Sequence, residues 1–172
     1  MKLVNCVCMK KVLFLLLVLS IAISRPCRAI DHASDDILSL MNLTPKTATQ
    51  EKVTALLGQP AKVEENKKRA WWYYNLGNSR LIIYWNKKSA LLEKFSFSCE
   101  SAVKNVFDNN LSRKLKSGTT DLLQAIKLLG VPKDMTIKSV TQEVHYAYQK
   151  SVLRLFFRNR TLVDYTLVTS NQ

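Results

Sequence analysis

Thr49-Gln-Glu-Lys-Val-Thr-Ala-Leu-Leu-Gly58, followed by Gln59-Pro60, is met again as Asp121-Leu-Leu-Gln-Ala-Ile-Lys-Leu-Leu-Gly130, followed by Val131-Pro132. Each stretch leads into an aromatic segment and then an apolar one. These are Trp72-x-Tyr74 with Leu81-x-Ile83-x-Trp85 in the first copy, and Tyr146-x-Tyr148 with Leu153-x-Leu155-x-Phe157 in the second. From Gly58 to Gly130 is 72 residues, too long for a solenoid unit and suited to a duplicated subdomain.

Val53, Leu56 and Leu57 give the i, i+3, i+4 stripe of a core-facing helix. Gly58 is placed as its C-terminal cap, and Pro60 forbids continuation. Upstream, Ser34-Asp35-Asp36 can cap a short helix through about Leu43 that Pro45 breaks, and Thr47-x-x-Gln50 resembles a capping box. Downstream, Lys62 to Arg69 reads as a charged loop or weak strand. Ala70–Asn75 and Arg80–Trp85 flank Leu76-Gly77-Asn78-Ser79, a hairpin signal. Asn86-Lys87-Lys88-Ser89 then turns the chain into Leu91–Cys99. Ser101–Leu115 carries Val103, Val106, Phe107, Leu111 and Leu115 on one helical stripe, and the second copy runs to about Val168. The expected fold is α+β: two tandem ααβββ units, residues 30–99 and 100–172, each with helices packed on one face of an antiparallel sheet, the two sheets either separate or joined into one.

A strand alternates its side chains between two faces, so the copies can be compared face by face. Trp72, Tyr74, Leu81, Ile83 and Trp85 match bulky residues in the second copy and are assigned to the helix side. The opposite face differs between copies: Trp71 and Tyr73 against His145 and Ala147, Ile82 and Tyr84 against Arg154 and Phe156. A face that is apolar in one copy and mixed in the other suits partner contact. Trp71, Tyr73, Arg80, Ile82 and Tyr84, extended by Arg154, Phe156 and Arg158, are therefore the candidate partner-binding residues. Aromatic rings supply desolvated contact area and Arg forks give direction toward carboxylates.

Residues 1–29 read as a secretory leader: Lys10-Lys11, an apolar run from Val12 to Ile23, then small and polar residues before cleavage after Ala29. The natural start is placed at Met9. The apolar run is shorter than the about 20 residues a spanning helix needs, so no transmembrane helix is expected in the mature chain. Cys27 follows Arg25-Pro26, which is no lipobox. Beyond Ala29 stand 21 bases against all 13 acids, a mature charge of +8. Such a surface suits an acidic protein, or peripheral contact with an anionic membrane or lipopolysaccharide; with export, no nucleic-acid partner is expected. Cys99 alone survives that cleavage, so no internal disulfide is expected.

Catalytic machinery is hard to find. His32 and His145 are the only histidines, no His/Cys cluster offers the three or four ligands of a zinc site, and neither a Gly-x-Ser-x-Gly nor a phosphate loop is present. The expectation is a non-enzyme with no cofactor, no metal and no catalytic residue.

Gln50, Val53, Leu57-Gly58-Gln59-Pro60, Trp72-x-Tyr74 and Leu81-x-Ile83-x-Trp85 together resemble the SmpA/OmlA family of small envelope lipoproteins that serve outer-membrane barrel assembly. Thr47-x-Thr49 stands where that family has Gly-x-Thr. Two such units in tandem look like the β-lactamase inhibitory protein fold, whose repeats form a curved sheet with helices behind it. The resemblance covers roughly residues 35–168 and implies an exported, periplasmic or extracellular module of the bacterial cell envelope that binds a protein through its sheet face. Two alternatives stand beside it: a secreted inhibitor of a foreign enzyme, and a binder of an anionic envelope ligand.

Overall fold

A computed structural model describes residues 33–100, 114–148 and 151–169. The leader read over residues 1–29 and the helix read over Ser101–Leu115, save its last two residues, lie outside them.

The described helices are α1 (Ala33–Leu40), α2 (Gln50–Leu57) and α3 (Leu122–Leu129). The hydroxyl of Thr49 accepts the Lys52 amide at 3.4 Å and caps α2. The cap thus falls two residues beyond Thr47, whose own hydroxyl donates to the Thr44 carbonyl at 3.0 Å. At α3 the capping box is complete: the Asp121 carboxylate accepts the Gln124 amide at 2.8 Å, and the Gln124 side chain accepts the Asp121 amide at 3.1 Å. Gly58 and Gly130 end their helices at φ of 78° and 80°, a conformation that a side chain makes costly.

Eight strands follow one another in a meander: β1 (Lys62–Glu65), β2 (Arg69–Leu76), β3 (Ser79–Asn86), β4 (Leu91–Cys99), β5 (Asp134–Lys138), β6 (Thr141–Tyr148), β7 (Ser151–Arg158) and β8 (Thr161–Thr169). All pair antiparallel, in the order β1 to β8. This corrects the expectation of two tandem ααβββ units with packed helices. The sheet is single and continuous, because β4 pairs with β5 through five residue pairs from Lys94–Lys138 to Ser98–Asp134. Each half contributes four strands, and the three described helices have only eight residues each. The physical reason lies in β1 and β5. Every residue of β1 is exposed, so it carries no period-two signal, and β5 buries only Met135 and Ile137.

The two halves share local geometry inside the continuous sheet. The Lys46 amide donates to the Leu92 carbonyl at 2.7 Å and the Leu92 amide to the Ala48 carbonyl at 3.0 Å. Gly118, Leu162 and Thr120 repeat the pattern at 2.8 Å each. Register shifts fall at Tyr84/Trp85 and again at Phe156/Phe157, so each half bulges at the same place.

Cross-strand neighbours share a face, so the core can be read as rows. Trp72, Ile83, Phe95, Ile137, Gln142, Phe157 and Leu162 form one row from β2 to β8. Tyr74, Leu81, Phe97, Met135, Val144 and Leu155 form the next, which ends on β8 at exposed Tyr165. Ile37 and Leu40 of α1, Val53 of α2, and Leu122, Ile126 and Leu129 of α3 belong to the same buried cluster. Gln142 is the polar member of its row. Its amide donates to the Lys138 carbonyl at 3.2 Å and its oxygen accepts the Arg160 amide at 3.0 Å, which holds the β7–β8 turn.

Tyr146 is buried, and its hydroxyl has no hydrogen-bond partner among the described residues. Burial pushes this phenol well above the usual tyrosine range, and pushes Tyr74 up to about 12. Both therefore keep their protons in the folded chain at a pH where the unfolded chain, with an ordinary value near 10, loses them. Their contribution to stability is thus level below about pH 10 and falls as pH rises above it. Tyr146→Phe removes an unsatisfied hydroxyl and should be neutral or stabilising by up to about 1 kcal/mol, with a shallower alkaline decline. Urea unfolding near neutral pH and above about pH 10 checks this. A loss larger than about 1 kcal/mol would mean that the hydroxyl is satisfied.

Candidate functional site

The face of the sheet opposite the core is read from the same registers. One row runs Glu64, Trp71, Tyr84, Lys94, Lys138 across β1 to β5. The next runs Lys62, Tyr73, Ile82, Ser96, Thr136, Glu143, Phe156, Asp164 across all eight strands. A third runs Asn75, Arg80, Ser98, Asp134, His145, Arg154, Thr166 from β2 to β8.

Trp71 sits directly across from Tyr84, and Tyr73 across from Ile82, so these four make one block. All four are half-buried; they are neither core nor free-standing. Two of the rings have charged neighbours: Tyr73 through its hydroxyl and Tyr84 through its face. The Tyr73 hydroxyl donates to Glu64 Oε2 at 2.7 Å, and Lys62 Nζ lies 2.6 Å from Glu64 Oε1. These bonds from Lys62 and Tyr73 hold the Glu64 carboxyl below the usual range, and Glu64 in turn raises the Tyr73 phenol. The Lys94 ammonium stands over the Tyr84 ring, 4.0 Å from its centroid, a cation–π arrangement.

Arg80 is exposed in the adjacent row, beside Asn75 and Ser98. Arg154, Phe156 and Arg158 share the face but sit on β7, four strand steps from β3, or about 19 Å at the usual strand spacing. Between them lie Ser96, Ser98 and Thr136, with Ser96 Oγ and Thr136 Oγ1 3.4 Å apart, and then the contact of Glu143 Oε1 with His145 Nε2 at 2.7 Å. The eight residues therefore form two patches separated by a floor of small hydroxyl side chains.

Sequence reasoning missed the charges that the hairpins bring to this face. Lys94 and Lys138 face each other directly across β4 and β5, and no carboxylate among the described residues pairs with either. Glu93, the neighbouring acid, is held by Arg69 in a fork of 2.9 and 2.8 Å. Trp71, Tyr84, Lys94, Lys138, Arg69 and Lys46 line a shallow depression of about 430 Å³. Like charges directly opposite destabilise a sheet. Lys138→Glu should therefore raise stability by about 0.2–1 kcal/mol, read as a higher urea midpoint; a lower midpoint would mean that the pair is already compensated.

Among the described residues no group of His, Cys, Asp and Glu is placed to hold a metal ion, and no helix is long and apolar enough to cross a membrane. No known family profile matches the chain, and no curated protein matches its sequence. Solved structures do. A candidate β-lactamase inhibitor protein from Streptococcus mutans aligns over 81% of this chain and 98% of its own, at 15% identity and a TM-score of 0.52. A DUF4309 family protein from Bacillus subtilis aligns over 82% of this chain and 92% of its own, at 15% identity and a TM-score of 0.31. An extracellular SCP-domain protein from Bacillus anthracis aligns over 86% of this chain and 50% of its own, at 14% identity and a TM-score of 0.34. The likeness to the Streptococcus mutans structure is one of fold, in line with the inhibitory-protein side of the resemblance.

Proposed function

We propose that the chain is an exported, non-enzymatic protein-binding module of the cell envelope, starting near Ile30 after removal of residues 1–29. It holds a protein partner against the open face of its sheet. Trp71, Tyr73, Ile82 and Tyr84, with Arg80 beside them, form the primary contact, and Arg154, Phe156 and Arg158 give a second. The observation that carries this reading is the half-buried aromatic block on a face that no described helix covers. The rings are fixed by neighbouring strands, so little conformational entropy is lost when a partner covers them. The envelope setting rests on the leader and on the SmpA/OmlA-like pattern around Leu57-Gly58-Gln59-Pro60.

A second reading, inhibition of a foreign enzyme, draws on the fold shared with the Streptococcus mutans protein. Hydrolysis of a chromogenic β-lactam by purified β-lactamases, with and without the chain, separates it from the first.

Photo-cross-linking tests the surface itself. Benzoylphenylalanine at position 73, on the open face, should trap a discrete protein partner in the source cells. The same group at position 127, on the exposed side of α3, should not. Adducts from position 127 alone would refute the reading.

A further inference from the structure

The positive charge on the open face runs on, past Arg69, to the end of the sheet. Asn66-Lys67-Lys68 and Asn86-Lys87-Lys88 repeat the same tripeptide in two different turns. The fold sets these turns side by side: the Lys87 amide donates to the Lys68 carbonyl at 3.0 Å. Each turn is shaped by its asparagine. Asn66 Oδ1 accepts the Lys68 and Arg69 amides at 2.8 and 2.9 Å, and Asn86 Oδ1 accepts the Lys88 and Ser89 amides at 3.0 and 3.3 Å. Arg69 borders both this cluster and the depression that holds Trp71, Tyr84, Lys94 and Lys138. It also precedes Trp71 by two residues on the same face, about 7 Å along the strand.

The carboxylates nearby are already engaged. Glu93 is held by Arg69 and Glu65 by Lys87 at 3.0 Å. Lys46, Lys67, Lys68, Lys88, Lys94 and Lys138 are left without a carboxylate among the described residues. Apposed lysines in the middle of a sheet are unfavourable for the free chain, and an anion lying between them removes the repulsion.

We infer that this strip, from the paired Asn-Lys-Lys turns to the Lys94–Lys138 pair, is built to take an acidic polypeptide segment of the protein partner. The inference rests on the open-face reading and names the chemistry of that partner. Recessed aromatic rings beside the lysines favour a polypeptide, whose side chains alternate between apolar and acidic, over a flat bilayer that would meet only the turns. Acidic side chains of the segment neutralise the lysines while its apolar side chains cover Trp71 and Tyr84.

The test uses the chain from residue 30 onward, which holds every described element, and fluorescent poly-L-glutamate as the probe. Anisotropy at low salt should report binding that weakens steeply as salt is added. Lys94→Ala with Lys138→Ala, and separately Lys68→Ala with Lys88→Ala, should each weaken binding about tenfold. Lys116→Ala with Lys127→Ala should leave it unchanged. Lys94→Arg with Lys138→Arg keeps the charge and should keep the binding, so a folding defect is told apart from a lost contact. Absent binding, an equal loss in the Lys116/Lys127 control, or tighter binding to oligothymidylate or to phosphatidylglycerol vesicles would each overturn the inference. If the lysine variants bind poly-glutamate as the parent does while position 73 still traps its partner, the acidic-segment inference falls and the open-face reading stands.

Discussion

Phe95→Ala is expected to cost about 3–5 kcal/mol and to lower a single unfolding transition that involves both halves of the chain. Phe95 is fully buried on β4 and lies between Ile83 of β3 and Ile137 of β5. It stands where the first half of the sheet becomes the second. Truncation leaves a cavity in a wall made by both halves, and the loss is a large share of the about 5–15 kcal/mol by which domains of this kind are stable. Calorimetry with intrinsic tryptophan fluorescence measures it. All three tryptophans, Trp71, Trp72 and Trp85, lie in the first half, so fluorescence reports that half while calorimetry reports the whole. Coincident transitions are expected. Two separate transitions, with only the fluorescent one shifted, would mean that the halves are independent units after all.

Trp71→Ala with Tyr84→Ala should weaken partner binding at least about thirtyfold, the loss of a single hot-spot contact of about 2 kcal/mol. The two rings are cross-strand neighbours, so their losses are not expected to add. Both are half-buried, and their truncation should cost the free chain only about 1–2 kcal/mol. The contrast with Phe95→Ala is the point of the experiment. One substitution damages the fold with binding following it; the other damages binding while most of the fold's stability remains. Equilibrium binding to the partner trapped from position 73, alongside urea unfolding, gives both numbers. Binding within about threefold of the parent would mean that the rings face solvent without a role.

The sequence made the strands with strong alternation easy to place. Leu81, Ile83 and Trp85 repeat as Leu153, Leu155 and Phe157, and all six are buried. The hairpin around Gly77 was equally legible, because Gly77 takes a φ of 61° there and glycine is the residue that does so cheaply. What escaped was the fourth strand of each half. β1 is exposed throughout and β5 is five residues long, so neither announces itself by periodicity, and without them the two halves look like three-stranded units. The same gap hid the charge on the face. Lys94 and Lys138 are ordinary surface lysines until the β4–β5 register sets them opposite one another. The two Asn-Lys-Lys tripeptides were visible as words, but only the hairpins make them neighbours. Conversely, the aromatic block was found from sequence alone, since a face that differs between copies needs no structure to be noticed. Its continuation to Arg154, Phe156 and Arg158 was not so easily judged. That they form a separate patch depends on counting the intervening strands.

β8 differs from β4 in a way that the binding experiments must allow for. Tyr165 and Leu167 occupy the positions that Phe95 and Phe97 fill in the first half, yet they are 40% and 48% exposed. They lie on the helix side of the sheet, with Leu155 and Leu153. This makes Tyr165 an internal control for contact with the wrong side of the molecule.

Hydroxyl-radical footprinting of the free chain and of its complex with the trapped partner tests the open face most directly. In the free chain Trp71, Tyr73, Tyr84 and Tyr165 should be oxidised, while Trp85, fully buried, stays protected. On adding the partner, Trp71, Tyr73 and Tyr84 should become protected and Tyr165 should stay reactive. Protection of Tyr165, with Trp71, Tyr73 and Tyr84 left as reactive as before, would place the partner on the other side of the sheet and contradict the proposed function.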